Sequence, residues 1–204
     1  MSYYKISDLE QYFKHYKKSV REPRKFWGKI AEENFVWYQA WDKVFDFDSD
    51  SHHNKWFTEG KLNIVKNCID RHLSKRGDKT ALIFEPNNIE EEAQIITYSE
   101  LYIRVAKMAN VLKSHGIQKG DRVCIYLPMI PELAVAMLAC ARIGAIHSVI
   151  FAGFSADAIR NRVSDCGAKM VITSDGGFRG AKTIKLKSVV DEAIEDLNSV
   201  EKVL

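Results

Sequence analysis

The chain has 204 residues, of which 46% are apolar, and a formal net charge of +3 at pH 7. That apolar share supports a sizeable core and excludes wholesale disorder, and the mild charge argues against a dedicated nucleic-acid binder, which carries a strong basic face. The four cysteines, Cys68, Cys124, Cys140 and Cys166, form no C-x-x-C pair and read as small reduced core residues. No Cys or His pair has metal-ligand spacing, so a zinc site is not expected. The opening residues, MSYYKISDLEQYFKHYKKS, lack the apolar segment of a secretory signal. No run approaches the roughly 18 apolar residues of a membrane span. The expectation is a cytoplasmic protein with no membrane partner.

Two regions differ in texture. Residues 1–60 hold all four tryptophans, Trp27, Trp37, Trp41 and Trp56, with no clean period. They are expected to be an aromatic-rich, mainly helical extension with one short helix after Pro23 and an exposed loop from Asp46. Residues 61–204 are regular. The stretch 63–78, NIVKNCIDRHLSKRGD, predicts one amphipathic helix with Ile64, Val65, Cys68, Ile69 and Leu73 on its apolar side. TALIFE and QIITY predict strands of a long hairpin. Thr97 and Glu100 fit a capping box for a helix that keeps Leu101, Val105, Met108 and Leu112 on one face and ends at Gly116.

Alternation then takes over. RVCIYLP predicts a strand, and Pro131 opens a helix where its absent N–H costs nothing. That helix, PELAVAMLACAR, is apolar nearly all round and should be buried, with Glu132 serving its N-terminus. AIHSVIF is a strand, and SADAIRNRVSDC a helix capped by Ser155. KMVIT is a strand, KSVVDEAIEDL a helix capped by Ser188, and VEKVL a last strand. Strand and helix in alternation indicate βαβ units, a parallel sheet and helices on both faces. Ligands of such sheets gather at the strands' carboxyl ends. Three loops qualify: LPMIP after 127, FAGFS after 150 and SDGGFRGAKT after 173.

SDGGFRGAKT nearly spells the phosphate loop G-x-x-x-x-G-K-[ST], but Ala181 replaces the second glycine. The next helix also starts several residues too late for its amides to converge on a phosphate. A looser anion site fits better. Gly176 and Gly177 permit positive φ and exposed amides. Arg179 and Lys182 place two cations within four residues, one able to grip a phosphate bidentately and one acting as a point charge. The bland alternative is a solvated turn, and spacing alone leaves both open. FAGFS offers Ala152 and Gly153 for close backbone approach between Phe151 and Phe154; its alternative is a tight turn with buried phenylalanines. His147, inside an apolar strand, reads as a core histidine. No nucleophile with a nearby base can be assembled.

The segments WFTEGKLNIVKNCIDRHL, KGDRVCIYLPMIPELAVAMLACARIGAIHSVIFAGFSADA and DGGFRGAKTIKLK resemble the amino-terminal part of AMP-forming acetyl-CoA synthetases (acetate–CoA ligases) of the adenylate-forming superfamily. The resemblance implies a partial N-terminal domain of the adenylate-forming fold, with 61–204 as the first α/β part of the AMP-binding domain. It implies a ligase that joins acetate and CoA through an acetyl-adenylate, using ATP, Mg2+ and CoA. It further implies that Phe151, Ala152 and Gly153 lie against the CoA nucleotide, and that Arg179, Gly180, Ala181 and Lys182 hold a CoA phosphate. The family's ATP loop, acyl pocket and adenylation lysine fall in a C-terminal part of the enzyme. This chain therefore looks like roughly the first third, inactive alone, with no catalytic residue of its own and an apolar surface meant for that part. A propionate ligase, or a non-catalytic CoA- or nucleotide-binding module, are the alternatives.

Overall fold

The computed structural model describes residues 6–47, 54–180 and 182–204. The chain divides into two compact units, Met1–Asn63 and Ile64–Leu204. In the first unit, helices α1 (Leu9–Arg21) and α2 (Pro23–Asn34) are followed by an antiparallel pair, β1 (Lys43–Phe47) and β2 (Asn54–Thr58). α2 is the helix expected after Pro23. α1 was not expected, although Asp8 caps it by accepting from the Gln11 amide at 2.8 Å. Asp46 and Phe47 end strand β1 instead of opening the loop; the rest of that expected loop, 48–53, lies outside the described residues. Three of the tryptophans join one aromatic cluster, in which Trp37 meets Trp41 and Phe57 edge-on or tilted and Trp56 lies on Phe45 and near Phe57, while Trp27 meets Phe26 edge-on.

The second unit carries the candidate site. The single helix expected over 63–78 is broken into α3 (Ile64–Cys68), a 3-10 turn (Asp70–His72) and α4 (Leu73–Arg76). Val65 and Ile69 are buried as expected, but Ile64 and Cys68 are exposed. The inward position between them is taken by Asn67, whose Oδ1 accepts from Arg71 at 3.1 Å. A buried amide needs such a partner, and the partner's position pulls the face off the simple apolar period. β3 (Thr80–Phe84) and β4 (Gln94–Thr97) form the expected antiparallel hairpin. Thr97 then caps α5 (Tyr98–Ser114) by accepting from the Glu100 amide at 3.2 Å while Glu100 accepts from the Thr97 amide at 2.8 Å, a complete capping box. α5 buries Leu101, Val105, Ala109 and Leu112, with Met108 partly covered.

The main sheet is parallel and four-stranded. Its strands are β5 (Arg122–Tyr126), β6 (Ile146–Val149), β7 (Met170–Thr173) and a short carboxy-terminal strand, β10 (Lys202–Val203), in the order β10-β7-β5-β6. α6 (Pro131–Ile143), α7 (Ala156–Cys166) and α8 (Leu186–Ile194) connect them. Alternate residues of β5 point to opposite faces. Val123 and Ile125 enter one core with Val105, Leu112, Val135 and Ala139 from α5 and α6. Cys124 and Tyr126 enter the other with Ile159, Val163, Val190 and Ala193 from α7 and α8. The fold is therefore α/β with helices on both faces. Each fully buried aliphatic side chain in these layers contributes roughly 1.5–3 kcal/mol. α8 begins at Leu186, two residues before Ser188, and has no side-chain cap. Leu186 is 1% exposed, so burial of its side chain, not capping chemistry, sets where the helix begins.

Candidate functional site

The strand order creates one switch point. β5 leads through α6 to one side of the sheet, and β7 leads through α8 to the other, while β5 and β7 lie side by side. A crevice opens outside the carboxyl ends of such a pair. All three loops singled out from the sequence leave those ends. After β5 come Leu127–Ile130, after β6 the turn Phe151–Phe154, and after β7 the stretch 174–184.

The stretch 174–184 is a structured β-hairpin and not an open loop. β8 (Gly177–Arg179) pairs antiparallel with β9 (Lys182–Ile184), and the register sets Arg179 directly opposite Lys182. The two cations named from the sequence are thus cross-strand partners at the hairpin's tip. Ala181 lies outside the described residues. Lys182 and Thr183 are in a strand, and α8 begins only at Leu186, so no helix N-terminus faces the glycines as a Walker loop requires. The glycines have different reasons from those expected. Positive φ occurs at Gly180 (φ +59), at the turn, and not at Gly176 or Gly177. Gly177 sits at close approach: a Cβ there would meet Pro128 Cβ at 3.2 Å and Leu186 Cδ1 at 3.4 Å, tight enough that these neighbours would have to give. The bend into the hairpin is tied by Ser174 Oγ donating to the Gly176 carbonyl at 2.9 Å and by Asp175 Oδ1 accepting from the Gly176 amide at 2.8 Å.

The turn after β6 also differs from its bland alternative. Phe151 is 59% and Phe154 39% exposed, so these rings are not core. Gly153 lets the Phe151 ring fold over the turn, since a Cβ there would come 2.8 Å from Phe151 Cε1. Phe151 and Ala152 line a cleft of about 410 Å³ whose opposite wall is Gly177, Phe178 and Ile184 of the hairpin, with Leu127, Pro128 and Leu133 at its base. A second cleft, of about 1010 Å³, lies on the hairpin's other side, against the β3–β4 loop. Asn87 of that loop donates from Nδ2 to the Gly180 carbonyl at 3.0 Å. The structure therefore brings Phe151 and Ala152 together with the hairpin that carries Arg179 and Lys182. Phe178, Met129 and Asn87 are the wall and tether residues that sequence reasoning missed. Phe178 had a visible signal, an aromatic between two glycines; Asn87 had none.

Burial pushes the Cys124 thiol up to about 12, aided by Cys166, whose Sγ is 3.7 Å away, and the Cys140 thiol up to about 11. Both are unreactive core thiols, whereas Cys68 is exposed and departs from the core expectation. His147 sits half-buried in the sheet-edge strand β6, and burial lowers its pKa. Among the described residues no helix is long and apolar enough to cross a membrane.

The sequence profile described as "AMP-binding enzyme" matches residues 69–204, two thirds of the chain. The chain belongs to the AMP-binding enzyme family. The preceding residues, 12–68, match the profile "Acetyl-coenzyme A synthetase N-terminus". Similar members include the acetyl-coenzyme A synthetases of Magnetococcus marinus, 53% identical over 94% of this chain, and of Desulfatibacillum aliphaticivorans, 53% identical over 96%. The chain spans about 30% of the length of either relative and corresponds to an N-terminal portion. Among solved structures, the acetoacetyl-CoA synthetase of Streptomyces lividans superposes with a TM-score of 0.84 at 28% identity, over 92% of this chain and 28% of that one. The α/β fold described above is thus shared with an acyl-CoA synthetase of this family.

Proposed function

We propose that this chain contributes part of the CoA-binding site of an acetate–CoA ligase. In that reaction an acetate oxygen attacks the α-phosphorus of ATP and pyrophosphate leaves. The CoA sulfur then attacks the acetyl carbonyl and AMP leaves. The observation that carries the reading is the convergence of the Phe151–Gly153 turn and the 177–184 hairpin on one cleft at the sheet's carboxyl end. In this reading the Phe151–Ala152–Gly153 backbone and the exposed Phe151 ring accept the CoA nucleotide. Arg179 grips a CoA phosphate through its guanidinium fork, and Lys182, opposite it, adds a point charge. Gly180, at positive φ, lets the tip approach that phosphate. Magnesium would travel with the ATP phosphates and offset their charge. Among the described residues no three His, Cys, Asp or Glu side chains are grouped so as to hold a metal ion. In this reading the acyl pocket lies in the C-terminal part, as the family resemblance implies, so this portion does not separate acetate from propionate.

Calorimetric titration with CoA and dephospho-CoA tests the phosphate contact. The chain is expected to bind CoA about tenfold more tightly than dephospho-CoA, the scale of one charge-assisted contact. Arg179→Ala should erase that preference. Equal binding of both ligands by both proteins would remove the phosphate role. The reading also makes the 204 residues a binding portion without adenylating activity. Purified chain given acetate, ATP and hydroxylamine is expected to form no acetyl-hydroxamate, and sustained turnover would overturn that half.

A further inference from the structure

β5 is a run of fully buried residues, Val123, Cys124, Ile125 and Tyr126, each 0% exposed. Packing alone would be served by a phenylalanine at the last of them. Burying a phenol is costly unless its hydroxyl finds a partner. Here the Tyr126 hydroxyl donates to the Phe154 carbonyl at 3.0 Å. That bond runs from the carboxyl end of the central strand to the turn after the neighbouring strand. The turn's other ties are local, among them an edge-on contact of the Phe151 and Phe154 rings with centroids 5.9 Å apart. Gly153 and Phe154 both donate their amides to the single carbonyl of Phe151, at 2.7 and 3.1 Å. Phe151, Gly153, Phe154 and Ser155 are all exposed. On the outer side the Arg162 guanidinium lies over the Phe154 ring, 4.7 Å from its centroid. Phe154 is therefore held by a buried hydroxyl from below and a cation from above, while Phe151 and Ala152 line the cleft.

We infer that Tyr126 is a positioning residue, whose hydroxyl sets the Phe151–Gly153 backbone at the height and angle that the CoA nucleotide needs. This rests on the CoA reading given above, and it adds a residue that touches no ligand. A loop of exposed residues samples many conformations, and binding must then include the cost of ordering them; a preset turn removes that cost. The hydroxyl is the part of Tyr126 that does this, since its ring belongs to the core shared with Ile150, Ala156 and Ile159.

Tyr126→Phe removes one oxygen and keeps the ring, so the chain should fold. Two measurements are made on wild type and variant: CoA affinity by calorimetry and amide hydrogen exchange by mass spectrometry. The expected result is CoA binding weakened about three- to tenfold, the scale of one lost hydrogen bond, with faster exchange confined to the segment around 151–155. Unchanged affinity or unchanged exchange in that segment overturns the positioning role while leaving the CoA site standing. Exchange that rises throughout the α/β unit marks Tyr126 as a general stabiliser and also overturns it. If the wild type binds no CoA, the CoA reading itself fails and the positioning role fails with it, an outcome separated from the others by the wild-type titration alone.

Discussion

Asp121 stands just before β5 and Lys169 just before β7, at the amino ends of adjacent strands and thus at the opposite end of the sheet from the candidate site. Asp121 is 8% exposed. Its carboxylate accepts from Lys169 Nζ at 2.8 Å and from the Gln118 amide at 2.9 Å. The Lys169 ammonium first, and the Gln118 amide second, hold its pKa below the ordinary carboxylate value. A depressed carboxylate pKa means the folded state binds its proton less readily than the unfolded chain. The stabilisation is therefore present above the unfolded value, about 3.9, and is lost as pH falls through the lower folded value. Asp121→Asn is expected to lower stability at pH 7 by about 1 kcal/mol, a figure kept small because Lys169 is partly solvated. Urea midpoints of both proteins between pH 7 and pH 3 check this: the gap should hold down to about pH 4 and then narrow. A gap that widens in acid would contradict the assignment. CoA binding should not change, because the pair lies at the far end of β5.

At the scale of elements, what could be read from the sequence was whatever a local signal carried. Thr97 with Glu100, Pro131 at the start of α6 and Ser155 before α7 act within one turn of helix, and all three stand where the sequence placed them. The parallel sheet followed from the spacing of apolar runs. Elements whose shape depends on distant partners were not legible. Asn67 is turned inward by its bond to Arg71, so the 63–78 segment does not keep one apolar face. Ser188 carries a capping side chain, but burial of Leu186 starts the helix before it. β8 and β9 have three residues each, too few to display a period of two, and their glycines and charges mimic a turn. α1 is the exception: Leu9, Tyr12, Phe13, Tyr16 and Val20 recur at helical spacing after the cap Asp8, a local signal that the expectation of one helix after Pro23 left unused. The candidate site shows the same division. That ligands favour the carboxyl ends of β5, β6 and β7 followed from the alternation alone. That the turn after β6 faces the segment after β7 did not, because β5 separates those strands in the sheet. They meet only because the hairpin reaches across the end of β5, with Gly177 packed against Pro128.

At the scale of the molecule, the distribution of apolar surface in the α/β unit makes a further demand. β6 is the outer strand of the four-stranded sheet, so one row of its backbone donors and acceptors has no neighbouring strand. Ile146 on it is 56% exposed and Val149 43%. At the carboxyl end of the sheet Met129 is 77% and Phe178 69% exposed. An open edge bearing β-branched residues is a template for pairing with another chain, and exposed apolar side chains of this kind favour association. Burying one such side chain gains roughly 1.5–3 kcal/mol. A few of them, together with a strand edge, suffice to bring micromolar solutions to association. Self-association would cover this surface. Light scattering coupled to size exclusion is expected to give a mass that rises with loading concentration. Ile146→Lys, which places a charge on the edge without entering the core, should shift the species back toward monomer. A wild-type mass that stays monomeric across a hundredfold range of concentration would show that the edge is inert, and the variant would then have nothing to reverse.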